Sequence, residues 1–370
     1  MNQRIQRSAL MCADLDQQRE FYVQAREIVA DLFQPQPWRF WLDFIVSMTS
    51  AYVFASTWLA LPMTSPIAWL AFFVGATLLY RSSMFIHELI HLPANQMKWF
   101  RRVWNFFAGV PMMVPSFSYA SHLHHHSSRH YGTEQDGEYL PLATGSFKGI
   151  VVFLTQIFSQ PIIVFSRYLI GTPISFLHPS LRKWTLSHAS SLVINFQYQK
   201  ELKSSGQSRS DTFWELFTCF RTWVMLALVL TGIMPAVRLP KLLMLAMFAL
   251  TLNHVRTLAA HRYTSDGETV SHLGQFLDST NVQGNWLTEL LCPLGLRYHA
   301  LHHLFPRIPY HNLGIAHRRL VAQLADNSVY HDATYPSIWS AIKDLLGNIR
   351  AHEKRQAKGA KQTNPSTDRL

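Results

Sequence analysis

The sequence predicts an all-α integral membrane protein: four transmembrane helices in two hairpins, with a cytoplasmic helical cap carrying a metal site. Three observations predict it. Charged residues make up only 15% of the 370 residues while aromatics reach 13%, against about a quarter charged in ordinary soluble domains. Four apolar runs are long enough to cross a bilayer, and they pair across short turns. The densest histidine clusters, among 19 histidines in all, fall at one end of those runs.

Residues 1–36 are polar and mixed in charge, and they read as an amphipathic segment on the cytoplasmic side. They lack the basic, apolar, small-residue order of a secretory signal. The first run covers 40–61; at ~1.5 Å per residue it spans roughly 33 Å, the thickness of a hydrocarbon core. After the break LPMTSP a second run covers 67–86, and the two form a hairpin. Residues 103–119 are apolar but cut by prolines, and they read as an interfacial or buried segment. At 150–170 a helix at the interface or packed inside and a true span are equally compatible with the pattern. A polar connector at 178–212 leads to the second hairpin, 213–236 and 240–260, joined by VRLPK. The membrane domain thus covers 37–320, and 321–370 is a cytoplasmic tail whose last twenty residues look disordered.

The net charge of +11 sits in polar segments between the apolar runs rather than on one reading face, which argues against nucleic acid. The two tight turns carry only Arg238 and Lys241. Nearly all other basic residues fall on the opposite side, which is therefore the cytoplasm, and both termini lie there. The three cysteines, Cys12, Cys219 and Cys292, are far apart, which excludes a disulfide framework, a zinc ribbon and an iron–sulfur motif.

The histidines carry the chemistry. HELIH at 87–91 places His87 and His91 on one helical face at the end of the second run. HLHHH at 122–126 contains HxxHH as His122, His125 and His126, and YHALHHLFP at 298–306 repeats it as His299, His302 and His303. Positions i, i+3 and i+4 share a face, so each cluster converges three imidazoles. His261, at the end of the fourth run, is a further candidate and is preferred to the deeper His254. His124 falls off the shared face and is not counted. Zinc takes three or four ligands, so eight or nine imidazoles suit two ions. Imidazole fits iron, copper, zinc and nickel; iron is preferred because open, nitrogen-ligated ferrous sites activate O₂. The segment at 131–139 reads first as a solvated loop, with Glu134, Asp136 and Glu138 as candidate outer partners for imidazole N–H groups.

In its three boxes, their order and their spacing, the chain resembles the membrane fatty acid desaturase superfamily from about residue 40 to 320. The resemblance implies eight box ligands with His261 as a ninth, a di-iron centre, O₂ as co-substrate, and a fatty acid or fatty acyl substrate in an apolar tunnel between the spans. It also implies electrons from an external ferredoxin, rubredoxin or cytochrome b5 type donor. One departure stands out: Thr257 occupies the position where animal acyl-CoA desaturases carry an Asn. The superfamily includes desaturases, hydroxylases, carotenoid-modifying enzymes and a bacterial branch that decarboxylates free fatty acids to terminal alkenes. Desaturation is expected first, decarboxylation second and lipid or carotenoid hydroxylation third. The lack of a fused donor domain suggests a bacterial inner membrane. Two other classes compete. HExxH at 87–91 is also the signature of a zinc protease, with Glu88 as base, but that leaves both HxxHH clusters unused. A metal transporter would hold its site near the bilayer midplane.

Overall fold

The computed structural model describes residues 15–362 except 203 and 205. These residues are mostly helical; among them the strands are one parallel pair, Asn281–Val282 with Thr334–Tyr335. Five helices are long and apolar enough to cross a membrane: Pro37–Ala60, Pro66–His91, Phe147–Ser175, Arg209–Leu230 and Arg238–Ala260. Four of them fall on the four apolar runs of the sequence. The fifth is the segment whose pattern fitted either a span or an interfacial helix, so the count of apolar helices exceeds the expected four.

Pro37 and Pro66 each open a helix, where the fixed φ is already helical and the missing N–H costs nothing. The two helices they start pack closely along a seam of small side chains, Ala51, Ala55, Ala71 and Ala76, all buried. Gly75 lies at the tightest point, where a Cβ would sit 3.0 Å from the backbone nitrogen of Ala55. At the turn end, the Trp58 indole donates to the Lys241 carbonyl (3.1 Å) and the Lys241 ammonium donates back to the Trp58 carbonyl (2.9 Å). These bonds tie the start of helix Arg238–Ala260 to the first hairpin. The outer faces expose Leu42, Ile45, Val53, Ile67, Leu70, Phe220, Trp223 and Leu230. An apolar surface this continuous suits lipid, not water.

Helix Pro66–Ser83 breaks for one residue at Met84 and resumes as Phe85–His91. Its end and the end of helix Arg238–Ala260 arrive at the same place, where short helices gather. One core joins Ala25 of helix Leu15–Ile28 and Val29 just after it to Phe276, Leu301, Leu304 and Leu313, and so backs the helix His299–Leu304. Helix Ile338–Gln362 buries Leu345 and Ile349 against Ile150, Phe153 and Leu258. This corrects the expectation of disorder for 351–362: the helix anchored by those side chains runs on to Gln362, while 363–370 and 1–14 lie outside the described residues.

Candidate metal centre

Four elements deliver the histidines. His87 and His91 sit one above the other at the end of helix Phe85–His91. His122, His125 and His126 come from the single turn His122–His125 and its C-cap. His299, His302 and His303 share the inner side of helix His299–Leu304. His261 follows helix Arg238–Ala260, where the backbone turns extended and bridges to Ser279.

The structure brings these residues into two groups, His87, His91, His122, His126 and His302 in one, His125, His261, His299 and His303 in the other. Within each group the ligand-type atoms lie within 4.8 Å of one another. In the first, His302 Nε2 is 3.1 Å from His91 Nε2 and 3.2 Å from His126 Nε2, and His126 Nε2 is 3.0 Å from His122 Nε2. In the second, His261 Nε2 is 2.9 Å from His299 Nε2 and 3.2 Å from His125 Nε2. The rings of His126 and His303 stack at 4.2 Å between centroids, so the groups adjoin. The HxxHH clusters are therefore divided: each sends residues to both groups.

Such crowding fits a metal. A neutral imidazole Nε2 can share one proton with one neighbour, but three mutually close nitrogens cannot all be paired that way. Two nitrogens each about 2.1 Å from one ion, at about a right angle, stand about 3 Å apart. Both ring nitrogens of His87 are buried without a hydrogen-bond partner, a costly state unless something else accepts the lone pair. The donor set, all imidazole and divided four and five, suits two borderline cations such as iron or zinc.

Outer partners fix which nitrogen faces inward. Nδ1 of His125 lies 2.9 Å from Asp136 Oδ2, and Nδ1 of His122 lies 2.9 Å from Glu138 Oε1. Asp136 is fully buried and also accepts from the backbone N–H groups of Gly132 (3.0 Å) and Glu138 (2.9 Å). The simpler reading of 131–139 as a solvated loop is thus corrected for Asp136 and Glu138, while Glu134 is exposed. Around His261, Tyr131 and Ser279 approach Nδ1 at 3.0 and 3.2 Å, and Tyr131 and Tyr139 donate to Asp278 at 2.9 and 2.7 Å. Sequence reasoning missed Asp278, Tyr131, Tyr139 and Ser279. A lone Asp in DST at 278–280 carries no spacing signal, and only the fold sets it beside His261.

His254 joins neither group; its Nδ1 bonds the Leu250 carbonyl at 2.8 Å and its ring meets Phe153. His124 stacks on His130 and meets Tyr198. Glu88 accepts from the Tyr310 backbone N–H at 3.0 Å. It also lines a polar cavity of about 190 Å³ that opens beside His91 and is walled by Arg26, Gln96 and Arg307.

Burial pushes His122, His126, His261, His299, His302 and His303 well below the ordinary imidazole range. Burial acts on His125 too, but the Asp136 carboxylate outweighs it and holds that residue above the range. Burial raises Glu138 to about 7. For the six depressed groups the unfolded chain binds more protons below about pH 6.5, so their contribution to stability is full above that pH and lost as pH falls. His125 works the other way, its contribution present at low pH and lost as pH rises through its raised value. With six groups against one, metal retention and thermal stability are expected to fall together below about pH 6. A pH series of metal content and melting temperature in detergent checks this; flat metal content down to pH 5 would contradict it.

The family model described as Fatty acid desaturase matches residues 63–335. A Ceramide hydroxylase of Caulobacter vibrioides (strain NA1000 / CB15N) is 38% identical over 337 residues, covering 88% of this chain and 93% of that protein. No solved structure matches. Nine histidines brought together from three boxes and a fourth helix end, and a family match across all of them, agree: the chain belongs to the fatty acid desaturase family and is a membrane oxidoreductase of its desaturase and hydroxylase type.

Proposed function

We propose that this chain is an O₂-dependent hydroxylase that oxidises an unactivated carbon of an acyl lipid of the ceramide class, using two iron ions held by the nine histidines. The observation that carries the reading is the adjoining pair of all-histidine groups, seven of whose nine members are buried. Hydroxylation is preferred to desaturation, and both to decarboxylation, because the similarity to a protein named for ceramide hydroxylation extends over 93% of its length. Desaturation of a fatty acyl chain is the second reading, supported by the description of the family.

When bound, iron would supply O₂ activation and the oxidising power for the C–H bond. The chain's own residues hold and orient. His87, His91, His122, His126 and His302 would hold one ion, and His125, His261, His299 and His303 the other. Asp136 and Glu138 keep protons on the outward Nδ1 atoms of His125 and His122, which leaves Nε2 free to ligate. Full burial of the four-histidine group keeps bulk water from that side of the centre, while the polar cavity reaches the five-histidine group at His91. The acyl chain would lie among the membrane helices, and their packing would select the carbon presented.

Both hairpins are read as spans, with metal site and termini cytoplasmic in a bacterial inner membrane. Helix Phe147–Ser175 is read as lying along the membrane surface, and its contacts support this. Just before it, the Ala143 N–H meets the Tyr263 carbonyl (3.1 Å); midway, Gln156 donates to the Ile194 carbonyl (2.8 Å); near its end, Arg167 pairs with Glu215 (2.6 Å). Tyr263 and Ile194 belong to segments on the metal side, and Glu215 lies in the second turn of helix Arg209–Leu230, near the end of that span on the same side. The basic cytoplasmic face would attract an acidic external electron donor of the ferredoxin, rubredoxin or cytochrome b5 type.

Purified protein is expected to hold about two iron ions per chain. With a ceramide, ¹⁸O₂ and a reducing system it is expected to give a product carrying one labelled oxygen atom, read by mass spectrometry. An internal olefin would move the assignment to desaturation, and a shortened terminal alkene to decarboxylation. A single zinc with no iron would end the oxidase reading.

A further inference from the structure

Helix Arg238–Ala260 carries a cation that the metal centre does not use. Arg256 precedes His261 by five residues, about 7.5 Å deeper along the helix axis at ~1.5 Å per residue. It takes part in none of the ion pairs among the described residues. Its Nε is buried without a partner, and its Nη2 reaches only its own helix, Thr257 Oγ1 at 3.2 Å and Asn253 Oδ1 at 3.4 Å. The hydroxyls nearby already donate elsewhere: Tyr80 to the Leu291 carbonyl, Tyr119 to Glu138, Tyr263 to the Thr257 carbonyl. The Arg256 charge reaches the metal centre, where it acts on His125, His261 and His299.

Among the other cations in the long helices, Arg81 pairs with Asp43 and Arg167 with Glu215, and Lys241 donates to backbone carbonyls. Arg39 also has a buried unpartnered Nε, but it sits in the first turn of its helix with its guanidinium over the Trp38 ring at 5.3 Å. Arg221 also has a buried unpartnered nitrogen, but it lies in helix Arg209–Leu230, which delivers none of the nine histidines. An unpaired guanidinium at membrane depth is costly, and such residues mark substrate contacts. Its planar fork of five donors matches oxygen acceptors, and a methylene chain offers it nothing.

We propose that Arg256 binds the oxygen-bearing polar end of the lipid substrate, through an acyl carbonyl or a hydroxyl, and so sets attack at a carbon within a few bonds of that group. This rests on the acyl-lipid hydroxylase reading. A lipid bound with its methyl end at the metals would bring only methylene groups to the guanidinium, so that orientation is disfavoured. Arg256 is in this sense a positioning residue, and it also provides a partner for the Thr257 hydroxyl at the position where the sequence departs from animal acyl-CoA desaturases.

The test compares wild type, Arg256→Met and Arg256→Lys, each iron-loaded and kept free of O₂, for binding of tritiated N-palmitoyl ceramide and of palmitic acid. Arg256→Met is expected to keep full iron but to bind ceramide about tenfold or more weakly, with partial recovery in Arg256→Lys. After O₂ is admitted, residual Arg256→Met product is expected to carry the hydroxyl on several carbons where wild type uses one. Equal ceramide binding with the same carbon oxidised would overturn the proposal, as would wild-type protein that binds neither lipid. If wild type binds palmitic acid and not ceramide, and Arg256→Met loses that binding, the role of the arginine stands and the ceramide assignment fails. A wild-type product without added oxygen would defeat the hydroxylase reading, while the binding comparison would still decide the arginine.

Discussion

Replacing His302 by alanine is expected to remove at least one iron per chain and to lower turnover to below about one hundredth of wild type. His302 Nε2 sits between His91 and His126, 3.1 and 3.2 Å away, so it joins the first and third boxes to the second. Loss of an outer partner of a metal ligand already costs about 10–100-fold in affinity or activity, and a direct ligand should cost more. Iron analysis of the purified variant, with turnover on the same sample, checks this. His124→Ala is the control: it lies in the same run of histidines but outside both groups, and it is expected to keep its iron. Full iron and full activity in His302→Ala would remove the basis for the first group.

The second large effect is expected from Asp136→Asn. Asp136 is fully buried, and its two oxygens serve His125 and the N–H groups of Gly132 and Glu138. An amide has one acceptor oxygen: turned towards His125 and Gly132 it sets its NH₂ against the Glu138 N–H, and turned the other way it gives up both of those bonds; in either case the negative charge beside His125 is gone. The four-histidine group should lose metal affinity by about 10–100-fold, read as faster iron loss to a chelator. Glu134→Gln, exposed on the same loop, is expected to change neither. Equal chelator resistance in Asp136→Asn and wild type would show that the carboxylate does not support His125.

The two effects differ in how far the sequence foresaw them. Box spacing alone marked His302, because i, i+3 and i+4 positions share a helical face whatever surrounds them. It marked Asp136 only as one of three acids on a loop expected to be solvated, and choosing among them required burial, which depends on the fold. Asp278 and Tyr131, which reach His261 from distant segments, gave no local pattern at all. Helix Phe147–Ser175 is a similar case: its apolar composition suits a span or an interfacial helix equally, and its polar contacts, Gln156 with Ile194 and Arg167 with Glu215, come only from the fold.

The sequence by itself determined the apolar helices, the residues able to bind metal and the face on which each box presents them, because hydropathy and helical periodicity are local properties. Only the tertiary structure decided how the boxes are shared out, five histidines to one group and four to the other. It also decided which acids stand behind them and that Arg256 has no acidic partner among the described residues. Those are matters of distance between segments far apart in the chain, and close packing of side chains around a common centre is what sets them.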